Sequence, residues 1–153
     1  MRADPAAYRP PSKYPPTSLR DRWVIKLESK PKLLIVEDEP LIRRCLAEAF
    51  EEAGYAILES STGEDAIAEL EEADFAAVVT DIRLGAGING WAVARSARQQ
   101  HPQMAVVYMT GDSAGDWANE GVPTSVLLHK PFAMADIIAA VCSLLKPVDL
   151  LSR

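Results

Sequence analysis

Cysteine is nearly missing from the chain: Cys45 and Cys142 are the only two in 153 residues, with no Cys-x-x-Cys and no Cys/His spacing. That excludes a zinc site by pattern. One disulfide remains arithmetically possible, but both thiols sit among apolar helix residues and are expected to be buried and free in a reducing cytosol. No apolar run approaches the ~20 residues of a membrane-spanning helix. The first residues carry Pro and Arg where a signal peptide needs an apolar core, so a cytoplasmic location is expected, with no membrane partner. Positive charge is also short: 16 Lys and Arg stand against 22 Asp and Glu, a net charge of -6. A body this acidic argues against direct nucleic-acid binding, which needs Lys and Arg for phosphate contacts.

What remains is an ordinary globular composition, 48% hydrophobic and 25% charged, at the length of one domain. The basic residues crowd the start. Residues 1–31 interleave six prolines with Tyr8, Tyr14 and most of the early Arg and Lys, which makes a poor core former and predicts a disordered or loosely docked arm. Its one apolar patch, Arg22 to Leu27, could add a strand, dock on the domain or do neither, with a basic partner-binding arm or a functionless leader as the alternatives for the whole segment.

From Lys32 the pattern alternates between short apolar runs and helical periodicity. The runs Leu33–Val36, Ala56–Leu58, Phe75–Thr80, Ala105–Met109 and Ser125–His129 read as buried parallel strands. Pro40 opens the first helix, Gly54 closes it, and Ser61 or Thr62 caps the second. A glycine-rich loop, Gly85 to Gly90, leads to a third helix over 91–100. The segment Gly111 to Gly121 predicts a short, mobile helix, and Ala135, Ile138, Val141, Cys142 and Leu145 predict the inner stripe of a closing helix. Five strands and five helices in strict alternation predict an α/β doubly wound, three-layer, flavodoxin-like sandwich over residues 32–147, with 148–153 as a tail.

Four marks end these strands: Glu37-Asp38, Asp81, Thr110 and Lys130. In open α/β sheets ligands bind at the carboxyl ends of the strands, so the marks are expected to converge. Glu37, Asp38 and Asp81 are a hard oxygen set suited to Mg²⁺, which takes one or two carboxylates with water and a phosphate oxygen. A carboxylate can also attack phosphorus, forming an aspartyl phosphate. Both reactants are negative, so a metal and a nearby ammonium, here Lys130, must screen them. The Thr110 hydroxyl can donate to a phosphoryl oxygen. Singly, each mark is an ordinary turn, packing or surface residue. Together they point to phosphoryl chemistry.

At this point the motifs Ile35-Val36-Glu37-Asp38-Glu39, Thr80-Asp81-Ile82-Arg83-Leu84, Tyr108-Met109-Thr110-Gly111 and Leu128-His129-Lys130-Pro131-Phe132 resemble the receiver domain of bacterial two-component response regulators. The resemblance implies that Asp81 accepts a phosphoryl group from a histidine kinase or histidine phosphotransferase. It implies that Asp38 binds Mg²⁺ directly, that Glu37 helps through water, and that the Arg83 backbone carbonyl completes the metal site. Thr110 would move to the phosphate and Lys130 pair with it, across a cis Lys130-Pro131 bond. The chain departs from the pattern in three places. The loop 85–90 lacks the usual proline and is one residue longer, Leu127 stands where many members place an aromatic switch, and Met109-Thr110-Gly111 is similar only in part to the Phe-Ala-Thr-Gly-Tyr run of some single-domain regulators. Arg83 and Asp112, two beyond the acceptor and two beyond the threonine, are expected either to pair across the site and gate the attacking water or to form a solvated pair worth little.

The chain ends soon after the closing helix, which leads to the expectation of a stand-alone switch, monomeric or weakly dimeric. It would not be an enzyme beyond its own phosphotransfer and dephosphorylation, and would act on an unknown output protein through its last two helices and the strand between them. The alternatives are a pseudo-receiver that is never phosphorylated, and a flavin-type module. The second lacks a glycine-rich phosphate loop after the first strand and would set Glu37-Asp38 against the cofactor phosphate.

Overall fold

A computed structural model describes residues 30–112 and 114–145. The expected arm, including its Arg22 to Leu27 patch, and the tail 148–153 therefore lie outside the described residues, apart from Lys30 and Pro31. The strands are β1 (Lys32–Val36), β2 (Ala56–Ser60), β3 (Ala77–Asp81), β4 (Ala105–Thr110) and β5 (Ser125–His129). The helices are α1 (Pro40–Glu52), α2 (Gly63–Glu72), α3 (Gly90–Gln100), α4 (Trp117–Glu120), preceded by a 3-10 turn at Ala114–Asp116, and α5 (Met134–Leu145). All strand pairs are parallel, in the order β2-β1-β3-β4-β5. The direction of winding reverses between β1 and β3, which is where such sheets open a crevice at their carboxyl ends.

Alternation along each strand fills two cores. Leu34, Val36, Val78, Val106 and Tyr108 face α2 and α3, meeting Ala66, Leu70, Trp91, Val93, Ala94 and Ala97. Leu33, Ile35, Ala77, Val79, Val107 and Met109 face α1 and α5, meeting Leu46, Ala47, Phe50, Ile137 and Val141. In the three central strands every residue from Leu33 to Val36, Ala77 to Asp81 and Ala105 to Thr110 is buried on whichever side it points, so these runs read as nearly continuous apolar stretches. The edge strands β2 and β5 are only partly covered. The α2 start is Thr62, whose hydroxyl accepts from Asp65 N at 3.1 Å, a cap worth ~1 kcal/mol.

Several sequence expectations shift. Strand β3 starts at Ala77 and includes Asp81, and β4 includes Thr110, because the parallel register carries on through Asp81 opposite Met109 and Thr110 opposite His129. In α5 the buried positions are Ile137 and Val141, while Ala135 and Cys142 are exposed. The inner face is thus rotated from the expected stripe, because α5 sets Ile137 rather than Ile138 at the centre of its contact with the sheet. Both thiols are free but exposed, not buried: Cys45 sits one residue before the buried pair Leu46 and Ala47. Helix α4 is short, as the segment's composition predicts, and none of its residues is buried.

Candidate functional site

Polar burial is concentrated at one edge of the sheet. Among the described residues the buried polar and charged side chains are Glu37, Ser60, Thr80, Asp81 and Thr110, all at or next to the carboxyl ends of strands. Glu37 and Asp38 follow β1, Asp81 ends β3, Thr110 ends β4 and Lys130 follows β5. All the strand-end marks read from the sequence are therefore brought together. Lys130 Nζ lies 3.0 Å from Glu37 Oε2 and 3.0 Å from Asp81 Oδ2. Asp81, Arg83, Thr110, Gly111, Asp112 and Lys130 line a cleft of about 400 Å³.

The backbone holds these groups by local means. Glu37 Oε1 accepts from Glu39 N at 3.2 Å, and the Glu37 carbonyl accepts from Arg43 Nη1 at 2.9 Å, so the turn after β1 is tied to the first helical turns of α1. Lys130 N donates to the Thr110 carbonyl at 2.8 Å, and the Lys130-Pro131 peptide is cis, as the resemblance implies. The Thr80 hydroxyl donates to the Asp81 carbonyl at 2.8 Å, and the Thr110 hydroxyl accepts from Asp112 N at 3.1 Å. Arg83 Nη2 meets Asp112 Oδ2 at 2.9 Å, the ion pair expected from the sequence.

Charge at the centre is unbalanced. The Glu37 carboxyl is raised to about 7: burial is the main cause, the hydrogen bond from Lys130 opposes it, and the Asp81 charge adds to it. Burial alone would lower the Lys130 ammonium, but its hydrogen bonds to Glu37 and Asp81 outweigh that and raise it above its usual value, so it stays charged. One ammonium thus faces Glu37, Asp38 and Asp81, each offering a carboxylate oxygen, all within 4.8 Å of one another. Three carboxylates that share one ammonium, as a set of hard oxygens with Asp38 exposed, fit a small divalent cation such as Mg²⁺.

Leu127 is half-buried against the α2/α3 core, directly opposite Tyr108 of β4. The aromatic ring near this position therefore belongs to Tyr108, fully buried against Trp91 with ring centroids 4.7 Å apart. Sequence reading missed the Tyr108 hydroxyl, which accepts from Val122 N at 3.1 Å. It also missed Glu64, whose carboxylate reaches the loop after Asp81.

An acidic crevice at the switch point of a five-stranded parallel sheet, with a lysine reaching in from the last strand, defines a CheY-like receiver fold. The chain belongs to the response regulator receiver domain family, whose description matches residues 33–142. It is similar to a response regulator receiver protein from Sinorhizobium medicae, with 40% identity and a TM-score of 0.75, covering 78% of this chain and 96% of that one. It is 29% identical over 109 residues to the receiver protein CpdR of Brucella abortus, covering 70% of this chain and 90% of CpdR. It is 32% identical over 110 residues to the transcriptional regulatory protein TcrA of Mycobacterium tuberculosis, covering 71% of this chain but 43% of TcrA. Receiver domains are two-component signalling modules in which phosphorylation, Mg²⁺ binding and contact with histidine kinases or phosphotransfer proteins are general. Among the described residues no helix is long and apolar enough to cross a membrane.

Proposed function

We propose that residues 32–147 form a Mg²⁺-dependent receiver that takes a phosphoryl group on Asp81 from a histidine kinase or histidine phosphotransferase. It acts in the cytoplasm as a switch through protein contacts. The observation that carries this reading is Lys130 Nζ bridging Glu37 and Asp81 at 3.0 Å each, in the cleft that Thr110 also lines. A carboxylate oxygen of Asp81 attacks the donor phosphorus, the P–N bond to the donor imidazole breaks as the P–O bond forms, and the imidazole leaves. Lys130 holds positive charge on the attacking carboxylate and then on the phosphoryl oxygens. Asp38, Asp81, the Arg83 carbonyl and Glu37 would hold the cation, which when bound would supply the charge that lets two anions meet. Thr110 turns its hydroxyl from Asp112 N towards the phosphoryl group, and the segment after it follows.

Intact-mass measurement after incubation with Mg²⁺ and acetyl phosphate or phosphoramidate tests the reading. One added phosphoryl mass is expected, absent from Asp81→Asn. Wild-type protein that gains no mass is a pseudo-receiver, and a gain that persists in Asp81→Asn assigns the acceptor elsewhere.

A further inference from the structure

The loop from Ile82 to Asn89 carries the Arg83 carbonyl and has no proline to stiffen it. Its shape is set by contacts at both ends and in the middle. Ile82 and Leu84 are buried on either side of the exposed Arg83. Gly90 N donates to the Ile82 carbonyl at 2.8 Å, and a Cβ on Gly90 would strike the Asp81 carbonyl. In the middle, Glu64 of the first turn of α2 reaches across the chain, and its Oε1 accepts from Ile88 N at 2.8 Å. Glycines on both partners make room for that contact. A Cβ on Gly87 would overlap the Glu64 carboxylate, and one on Gly63 would meet the Ile88 carbonyl. Hydrogen bonding from Ile88 N and from its own backbone N–H holds the Glu64 carboxyl below its ordinary range, so it is an anion at neutral pH.

We propose that Glu64 is a positioning residue for metal binding: by gripping Ile88 N it fixes the 84–88 stretch of the loop and with it the Arg83 carbonyl beside Asp81. The inference rests on the reading of Glu37, Asp38, Asp81 and Arg83 as the metal set. Glu64 does the work that a proline would do elsewhere in such a loop, by a contact between elements instead of a restricted backbone.

Mg²⁺ titration calorimetry on the full chain, paired with amide exchange without metal, tests it. Glu64→Ala is expected to weaken Mg²⁺ binding by about fivefold, the scale of one aligned hydrogen bond, and to speed exchange at Ile88. Gly87→Ala should do the same while leaving every charge in place, because its methyl occupies the carboxylate's position and the backbone there is one that alanine adopts. Glu64→Gln keeps an oxygen acceptor and should bind Mg²⁺ within about twofold of wild type. If Gln loses as much affinity as Ala, Glu64 contributes only general negative charge and the proposal fails. Unchanged affinity in both Glu64→Ala and Gly87→Ala overturns it equally. Wild-type protein that binds no Mg²⁺ overturns the metal reading itself, before any variant is compared.

Discussion

Two loops border the same cleft and are built by opposite means. The β3–α3 loop is anchored first by apolar burial at Ile82 and Leu84 and by the packing of Gly90 on the Asp81 backbone, to which Glu64 adds one exposed hydrogen bond at Ile88 N. The β4–β5 connection has no buried residue among the described positions from Gly111 to Gly121. Polar groups tether that stretch instead, Trp117 Nε1 to Ser125 Oγ at 3.0 Å and Arg95 to Glu120 at 3.3 Å, until Val122 is buried in the core and Arg98 meets the Pro123 and Thr124 carbonyls at 2.6 and 3.1 Å. Apolar burial resists displacement, whereas exposed hydrogen bonds and ion pairs exchange readily with water at small net cost. The side of the cleft proposed to hold a metal is thus fixed, and the side proposed to respond to phosphate is free to change partners.

The largest way to erase that contrast is to remove the group both sides share. In Lys130→Met, Glu37 and Asp81 lose their common ammonium, and phosphoryl uptake is expected to fall by about two orders of magnitude, as when a transition-state charge partner is lost. Stability should drop as well, by about 1–2 kcal/mol in urea unfolding, because Glu37 stays buried while the solvent-exposed part of Lys130 screens the rest. Uptake within about twofold of wild type would remove Lys130 from the proposed chemistry.

A smaller intervention separates the two loops. Thr110→Ala deletes the hydroxyl that accepts from Asp112 N at 3.1 Å and is proposed to turn to the phosphate. Phosphoryl uptake on Asp81 should stay within about tenfold, since Thr110 takes no part in attack. Amide exchange across 114–120, which should change on phosphorylation of the wild type, should no longer respond. A full response in the variant would place the trigger elsewhere, and Tyr108, hydrogen-bonded to Val122 N, would be the next group to vary.

The sheet and the centre of the cleft were legible in the sequence because both depend on local pattern: apolar runs of strand length and single charged residues at their ends. Strand ends slipped by one or two residues, since the parallel ladder extends Asp81 and Thr110 beyond the apolar run that announces each strand. The face of α5 was misread because ten of its twelve residues are apolar and only Asp136 and Ser143 mark the outer side, so the apolar positions by themselves do not choose between Ile137 and Ile138. Glu64 was illegible for a different reason. Its partner is a backbone N–H 24 positions away, and the glycines that admit it resemble those of any turn until the chain is folded.

The smallest predicted effect lies on the ion pair between the loops. Arg83 and Asp112 are held at 2.9 Å with side chains 76% and 55% exposed, so the pair is worth at most a few tenths of a kcal/mol to folding. Its effect belongs instead to the lifetime of the acyl phosphate. Both residues line the cleft, and if their pair gates the attacking water, opening it should shorten that lifetime by about twofold to threefold in Arg83→Ala or Asp112→Ala, with melting unchanged. Salt screens an exposed pair within about one Debye length, so raising ionic strength should shorten the wild-type lifetime and leave both variants flat. Equal salt dependence in all three proteins would show that the loops act on hydrolysis independently, and the cleft would then have no gate between its fixed and its changeable side.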